Sequence, residues 1–218
     1  KDGPGFYTSR ILSPYLAEAT MLVEEGGRVQ EVDEALLDFG FPVGPLALLD
    51  EVGIDVAAHV ARNFGQLYAS RGLGGSDAFP RLHDAGYEGR KNKRGFYRYD
   101  GGKKGKKKVN EEIYRVFGGA PRKQIPADEM AQRAGLLMVN EAVYCLQEEI
   151  IASPSDGDVG AILGLGFPPF RGGPFRYIDA VGAGALVDTM NRLRDAHGPR
   201  FEPAPLLADM ARDNNRFH

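Results

Sequence analysis

The sequence predicts an all-α protein built from two tandem, duplicated helical domains that pack with pseudo-twofold symmetry. Three observations predict this fold class. Short motifs recur in the same order along the chain, apolar residues repeat at helical spacing, and signals for β-strands are sparse. The chain has 218 residues, which is enough for one domain or two small ones with a buried core.

The internal repeat is the most informative of these observations. Three segments recur in order: AEA at 17–19 as NEA at 140–142, DFGFP at 38–42 as GLGFP at 164–168, and DEVG at 50–53 as DAVG at 179–182. The separations are 123, 126 and 129 residues, and they grow in small steps as short loop insertions would make them grow. Three ordered matches are hard to obtain by chance, so we interpret the chain as a duplication.

The first copy is predicted to contain a helix, a short helix and a long helix. Apolar residues at helical spacing predict the first helix, which continues through Pro14 with a kink. A second helix ends at Gly40, and Pro45 then begins a long helix that runs through Leu67. Residues 95–99 could form a short extended piece.

The second copy repeats this order. Pro174 begins the equivalent long helix, which runs through Leu193, and a last short helix is predicted over Pro205–Arg212. Between the copies lies the glycine- and lysine-rich run 101–108, which is typical of a flexible charged linker. We therefore predict a first domain over 1–100, a basic linker over 101–126 and a second domain over 127–218.

Composition excludes several classes of protein. The net charge is −3, which argues against binding of nucleic acid by the whole surface, although residues 90–108 contain 10 basic residues and one acid. The single cysteine, Cys145, excludes an internal disulfide and a cysteine-ligated zinc site. No apolar run is long enough to span a membrane. The chain begins at Lys1 with neither an initiator methionine nor a signal peptide, so we expect it to be a fragment.

Motifs for independent catalysis are weak. The four histidines are scattered, and His59 is better interpreted as a packed or surface residue than as a base. The glycines at 164–166 resemble a dinucleotide loop only superficially, because Pro169 replaces the last glycine and no buried strand precedes them. A tight turn between helices is the preferred interpretation.

Two other segments allow both a structural and a functional interpretation. Lys91 and Arg94 lie in a basic segment flanked by glycines and could hold a phosphorylated ligand, or could belong to a solvated turn whose aromatic residues cover the core. Near the start of the chain, Thr8 or Ser9 could cap the first helix, which would explain both residues without a ligand. The residues alone leave these alternatives open.

Several motifs together resemble those of a known enzyme family. They are KDGPGFY at 1–7, FGFPVGP at 39–45, LDEVGID at 49–55, GRK at 89–91 with GFY at 95–97, and GLGFPPF at 164–170. Their order and content are similar to the C-terminal part of multifunctional fatty-acid β-oxidation enzymes, the α subunits of bacterial fatty-acid oxidation complexes. The resemblance covers essentially the whole chain.

The resemblance implies a larger enzyme. Such a protein carries an N-terminal enoyl-CoA hydratase domain, a Rossmann domain and two helical domains, and the last three form an NAD-dependent L-3-hydroxyacyl-CoA dehydrogenase. The NAD loop and the histidine–glutamate pair of catalysis belong to the Rossmann domain. We therefore expect this chain alone to be inactive and to bind NAD weakly. The expected partners are an acyl-CoA substrate, the upstream domains and a thiolase β subunit, without nucleic acid or a membrane span, in the cytoplasm.

The resemblance also indicates substrate-binding residues. Ser9 stands where related proteins often have an asparagine that contacts the substrate, and Leu163 stands where some have an aromatic residue. Lys91 and Arg94 are added as candidates for the phosphates of CoA, and no catalytic residue is expected in the chain. The alternative is a non-catalytic helical module for interaction or dimerisation. Nucleic-acid binding through the basic segment ranks last, because its aromatic residues are few.

Overall fold

The computed structural model describes residues 5–73, 77–99, 107–119 and 122–218. These residues form eleven α-helices and one two-stranded sheet, which confirms the all-α prediction. In chain order the elements are α1 Thr8–Glu24, α2 Val29–Phe39, α3 Pro45–Val52, α4 Ile54–Asn63, α5 Gly65–Ala69, α6 Ala78–Asp84, β1 Tyr97–Arg98, β2 Lys108–Val109, α7 Ala127–Gln147, α8 Pro154–Leu165, α9 Pro174–Val181, α10 Ala183–His197 and α11 Pro205–Arg212.

Helices α1 and α7 pack against each other in antiparallel directions at the centre of the molecule. Arg10, near the start of α1, bonds to Glu141 in the second half of α7, whereas Glu18 bonds to Arg133 near the start of α7. More than half of the residues in each helix are buried. The core therefore lies between the two halves of the chain and is shared by both.

Pro14 lies inside α1 without ending it. A proline has no N–H to donate to the carbonyl four residues earlier, which here belongs to Arg10. The hydroxyl of Tyr68 donates to that carbonyl instead, at 2.7 Å. The prediction of a continuous helix through Pro14 is confirmed, and Tyr68 supplies the missing hydrogen bond.

The long helices predicted from Pro45 and Pro174 are wrong, because the first is three helices, α3 to α5, and the second is two, α9 and α10. Gly53 separates α3 from α4 with φ +104°, and Gly182 separates α9 from α10 with φ +93°. Glycine adopts such positive φ values without the steric penalty of a side chain. The apolar spacing continues across both glycines, which is why the sequence did not indicate the breaks.

Residues 107–119 are packed against the first half of the chain. Strand β2 pairs with β1 in antiparallel register, with Tyr97 opposite Val109. Ile113 is fully buried, and the side-chain amide of Asn110 donates to the carbonyl of Gly95 at 3.0 Å. Residues 107–119 of the predicted basic linker over 101–126 therefore pack against the first half, while residues 101–106 lie outside the described residues. The division into domains 1–100 and 127–218 stays a prediction.

Buried aspartates hold the starts of equivalent helices in both halves. Asp33 on α2 accepts hydrogen bonds from the backbone N–H groups of Leu46 (2.8 Å) and Ala47 (3.2 Å) at the start of α3. Asp158 on α8 accepts one from Phe175 at the start of α9, at 2.7 Å. Both carboxylates thus satisfy N–H groups that have no partner inside their helix.

A second pair of aspartates anchors the ends of the two halves in the same way. Asp50 accepts from the backbone N–H groups of residues 96 and 97, both at 2.9 Å. Asp179 accepts from Phe217 and His218 at 2.8 and 2.9 Å. Equivalent contacts therefore recur in both halves, as a duplicated chain would have them, and the common origin of the halves stays a prediction.

Candidate functional site

A cavity of about 250 Å³ lies between α1 and the helices α4 to α6. Its wall is mainly apolar and comes mostly from the first half, with Leu137 and Arg200 from the second. The lining residues on α1 are Ser9, Leu12, Ser13, Pro14, Leu16, Ala17, Glu18, Thr20 and Met21, and those on α4 are Val56, Ala57, Val60 and Ala61.

Ser9 lies in the first turn of α1 and lines this cavity. The residue before the helix is Tyr7, and no side chain provides a cap hydrogen bond to this helix, so the interpretation of Thr8 or Ser9 as the cap is wrong. The backbone carbonyl of Ser9 accepts from the Ser13 hydroxyl at 2.8 Å. Within the described part of the chain, no hydrogen bond occupies the Ser9 hydroxyl. That hydroxyl is thus available to a ligand.

Charged groups in the cavity wall are already paired. Glu18 is buried and accepts from Arg133 (2.7 Å) and from Arg200 (2.7 Å), both of which come from the second half. The Tyr68 hydroxyl is used by the Arg10 carbonyl. The wall therefore favours an apolar ligand.

Leu163 lies near the end of α8 and is 82% exposed. This helix packs against the start of α1 through two glycines, because a Cβ on Gly160 would meet the ring of Tyr7 and a Cβ on Gly164 would meet Thr8. The structure therefore brings the helix ends that carry Ser9 and Leu163 together. The Leu163 side chain itself faces solvent.

Lys91 and Arg94 lie in the turn before β1 and contact neighbouring side chains. The Lys91 ammonium lies 2.5 Å from a carboxylate oxygen of Asp55, in the first turn of α4, and this hydrogen bond lowers the pKa of the Asp55 carboxyl. The Arg94 guanidinium lies over the ring of Tyr87, 4.3 Å from its centre. Lys91 therefore contacts α4, a helix that lines the cavity. The contact is at Asp55, the residue before the cavity-lining Val56.

Neither a metal-binding cluster nor a dinucleotide loop at the glycines 164–166 is found among the described residues. They contain no group of three or more His, Cys, Asp or Glu side chains placed to hold a metal ion. The glycines at 164–166 end a helix, with Gly166 in the left-handed conformation, whereas a dinucleotide loop joins a buried strand to a helix. The predicted turn between helices begins at Gly166, whereas Gly164 lies inside α8. Across these residues no helix is long and apolar enough to cross a membrane.

Sequence reasoning missed the buried ion pairs beside the cavity. Arg10 and Glu18 recur 123 residues later as Arg133 and Glu141, at the separation of the first repeat match. This repeated spacing was the feature of the sequence that could have indicated the ion pairs. Burial also raises the pKa of the Cys145 thiol to about 12, so this cysteine is an unreactive core residue, as the apolar pattern around it indicated.

Comparison with known proteins gives the family of this fold. The sequence model of the family "3-hydroxyacyl-CoA dehydrogenase, C-terminal domain" matches residues 5–99 and again 130–217. The fatty acid oxidation complex subunit alpha of Shewanella halifaxensis is 50% identical over 221 residues, and that of Idiomarina loihiensis is 48% identical over 218. Both matches cover 100% of this chain but 30% of the relative, so the chain spans less than a third of their length.

Two solved structures share the fold. The 3-hydroxybutyryl-CoA dehydrogenase of Escherichia coli K12 aligns with a TM-score of 0.77 and 21% identity, over 95% of this chain and 60% of that one. The dehydrogenase part of multifunctional enzyme 1 from C. elegans aligns with a TM-score of 0.68 and 23% identity, over 95% and 48%. With the family match over most of its length, the chain belongs to the 3-hydroxyacyl-CoA dehydrogenase C-terminal domain family.

Proposed function

We propose that this chain forms the substrate-cleft wall of an NAD-dependent L-3-hydroxyacyl-CoA dehydrogenase within a multifunctional fatty-acid oxidation polypeptide. The family match and the relatives named as α subunits of fatty acid oxidation complexes support the proposal. The structural observation that carries it is the Ser9 hydroxyl at a mainly apolar cavity, without a hydrogen bond from the described residues.

Within this function the chain binds and orients the substrate. Ser9 donates a hydrogen bond to the C3 oxygen or to the thioester carbonyl, which contributes on the order of 1 kcal/mol. By resemblance to the multifunctional β-oxidation enzymes, we assign the cofactor and the acid–base pair to upstream domains of the same polypeptide. This division explains why the chain alone is expected neither to oxidise the substrate nor to bind NAD tightly.

The other candidate residues take supporting roles in this proposal. Leu163, exposed beside the start of α1, provides an apolar contact to the substrate. Lys91 and Arg94 attract the phosphates of CoA, and because Asp55 already holds Lys91, their contribution is long-range attraction. A thiolase β subunit, an upstream hydratase domain and a cytoplasmic location complete the proposal by resemblance to the α subunits.

A second candidate function is an interaction or dimerisation module without a ligand. It is favoured by exposed apolar side chains: Leu163 (82%), Phe170 (75%), Phe6 (69%) and Val159 (55%). Isolated exposed apolar residues are common on protein surfaces, whereas grouped ones mark interfaces. Thermal stabilisation separates the two functions, because acetoacetyl-CoA raises the melting temperature of a cleft wall and leaves a pure interaction module unchanged.

The complete polypeptide that contains this chain provides the test. We expect NADH to form when it is given L-3-hydroxybutyryl-CoA, and we expect Ser9→Ala to slow that reaction. Ser70→Ala is the matched control, because Ser70 is exposed and its hydroxyl donates to the Leu67 carbonyl away from the cavity. Absence of turnover in the unmutated polypeptide would refute the dehydrogenase proposal.

A further inference from the structure

The two halves place side chains of different size at two equivalent positions, and in the first half both positions line the cavity beside α1. Pro45, Asp50 and Gly53 each correspond to a residue 129 positions later, so α4 corresponds to α10. At this separation the cavity-lining Ala57 corresponds to a leucine and Ala61 to a methionine.

The larger counterparts fill their half of the core. Leu186 is 3% exposed and Met190 is 1% exposed, so both side chains occupy buried space. Unfilled space in a protein interior destabilises the fold, because the lining atoms lose their contacts. At these two positions the first half has small side chains beside a cavity, whereas the second half has large buried side chains. An occupant that enters this cavity explains the difference.

The shape and chemistry of the wall define that occupant. The cavity follows α1 from Ser9 to Thr20, which at the rise of a helix is roughly 16 Å. Its walls are largely aliphatic, and the Thr20 hydroxyl is used by the Leu16 carbonyl at 2.9 Å. An elongated apolar space with one available hydroxyl at its end fits an alkyl chain whose polar head lies at Ser9.

We propose that this cavity binds the alkyl chain of the 3-hydroxyacyl substrate and that Ala57 and Ala61 set the chain length that the enzyme accepts. The inference rests on the proposed function, in which Ser9 bonds at C3 or the thioester. The carbons beyond C3 continue from that point into the cavity. Filling the cavity therefore obstructs long substrates and leaves short ones unaffected.

The test uses the complete polypeptide with Ala61→Met, which copies the second half, and with the milder Ala57→Val in case the first variant folds poorly. NADH formation is measured with 3-hydroxybutyryl-CoA and with 3-hydroxydecanoyl-CoA. We expect kcat/KM for the long substrate to fall about tenfold or more, and that for the short substrate to stay within about twofold. Ala69→Met is the matched control, because Ala69 is exposed and does not line the cavity.

Two results would overturn the inference while the proposed function stands. An equal loss for both substrates with a lower melting temperature would show that another segment of the polypeptide fills the cavity. Unchanged kinetics for both substrates in a folded variant would show that the acyl chain lies elsewhere. Failure of the unmutated polypeptide to oxidise either substrate would overturn the proposed function, and this inference with it.

Discussion

The guanidinium of Arg10 lies 2.7 Å from the carboxylate of Glu141, although the two residues are 131 positions apart and belong to different halves of the chain. Its reciprocal is the bond from Arg133 to Glu18, also 2.7 Å. All four residues are buried. Each half therefore neutralises a buried charge of the other.

Two further arginines complete this arrangement. Arg71, from the first half, pairs with Glu141 and Glu148 of the second half. Arg200, from the second half, pairs with Glu18 at 2.7 Å and with Glu25 at 3.5 Å. These four arginines each pair with glutamates of the other half, so the ion pairs join the two halves.

We expect Glu141→Ala to lower the free energy of unfolding by about 3–5 kcal/mol, because it leaves Arg10 and Arg71 buried without this partner. Chemical denaturation measures the change. Glu31→Ala is the control, since its pair with Arg28 is on the surface and is expected to contribute about 1 kcal/mol or less. A loss equal to that of the control would contradict a structural role for the buried pair.

Tyr68→Phe is expected to lower the free energy of unfolding by about 1–3 kcal/mol, because the Arg10 carbonyl loses its donor. The effect depends on Pro14. In a Pro14→Ala background the helix N–H becomes available to that carbonyl, and Tyr68→Phe should then cost much less. A double-mutant cycle measures this coupling, and additive effects would argue against it.

Asp50 is expected to make stability fall as the pH rises from 4 to 6. Burial raises the pKa of its carboxyl to about 6, above the ordinary value near 4 for the unfolded chain. In this window the folded state binds more protons than the unfolded state, so its stabilising contribution is full below pH 4 and lost by pH 6. The free energy of unfolding, measured by chemical denaturation across this range, should fall by up to about 1.4 kcal/mol per pH unit. Asp50→Asn should remove this pH dependence.

Ser9→Ala should lower kcat/KM of the complete enzyme by roughly 5- to 100-fold with little change in melting temperature. The stability should hold because no side-chain cap is lost from α1. Steady-state kinetics and thermal melting on the same variant test both parts. Unchanged kinetics with a lower melting temperature would assign Ser9 to the fold instead of the cleft.

Lys91→Ala with Arg94→Ala should raise KM for CoA substrates about fivefold at low salt, which corresponds to the ~1 kcal/mol of two exposed ion contacts. At high salt the increase in KM should be smaller, because the salt screens the attraction between these cations and the phosphates. A pantetheine thioester, which lacks the nucleotide phosphates, is the matched substrate and should show no change. Arg192→Ala is the control cation in the other half. An equal effect at both salt concentrations would favour a purely structural turn.

Local signals predicted much of the fold. The repeat indicated equivalent helices in both halves, and the helix Pro205–Arg212 has the predicted bounds. The breaks at Gly53 and Gly182 were missed, because apolar spacing is the same whether a helix continues or restarts. Lysine-rich composition likewise obscured the packed segment around Ile113, since the three buried residues Asn110, Ile113 and Phe117 do not change a compositional average.

The candidate site was predictable only in part. Ser9 could be chosen by resemblance, but its first-turn position in α1 and its place at the cavity depend on tertiary packing. The cavity is lined by Ala61, whose counterpart Met190 is buried in the second half, and the sequence gives no reason to compare these two residues until the helices are aligned. Long-range contacts of this kind have no local signature.

The reciprocal ion pairs also limit whether one half of the chain can be removed or exchanged without the other. Removing either half would leave two arginines and two glutamates of the other without these ion-pair partners, and most of these groups are buried. Exchange of one half with that of a distant relative would succeed only if the incoming half carried charges at the matching places. The two halves are therefore expected to be inherited, trimmed and transplanted as a single unit.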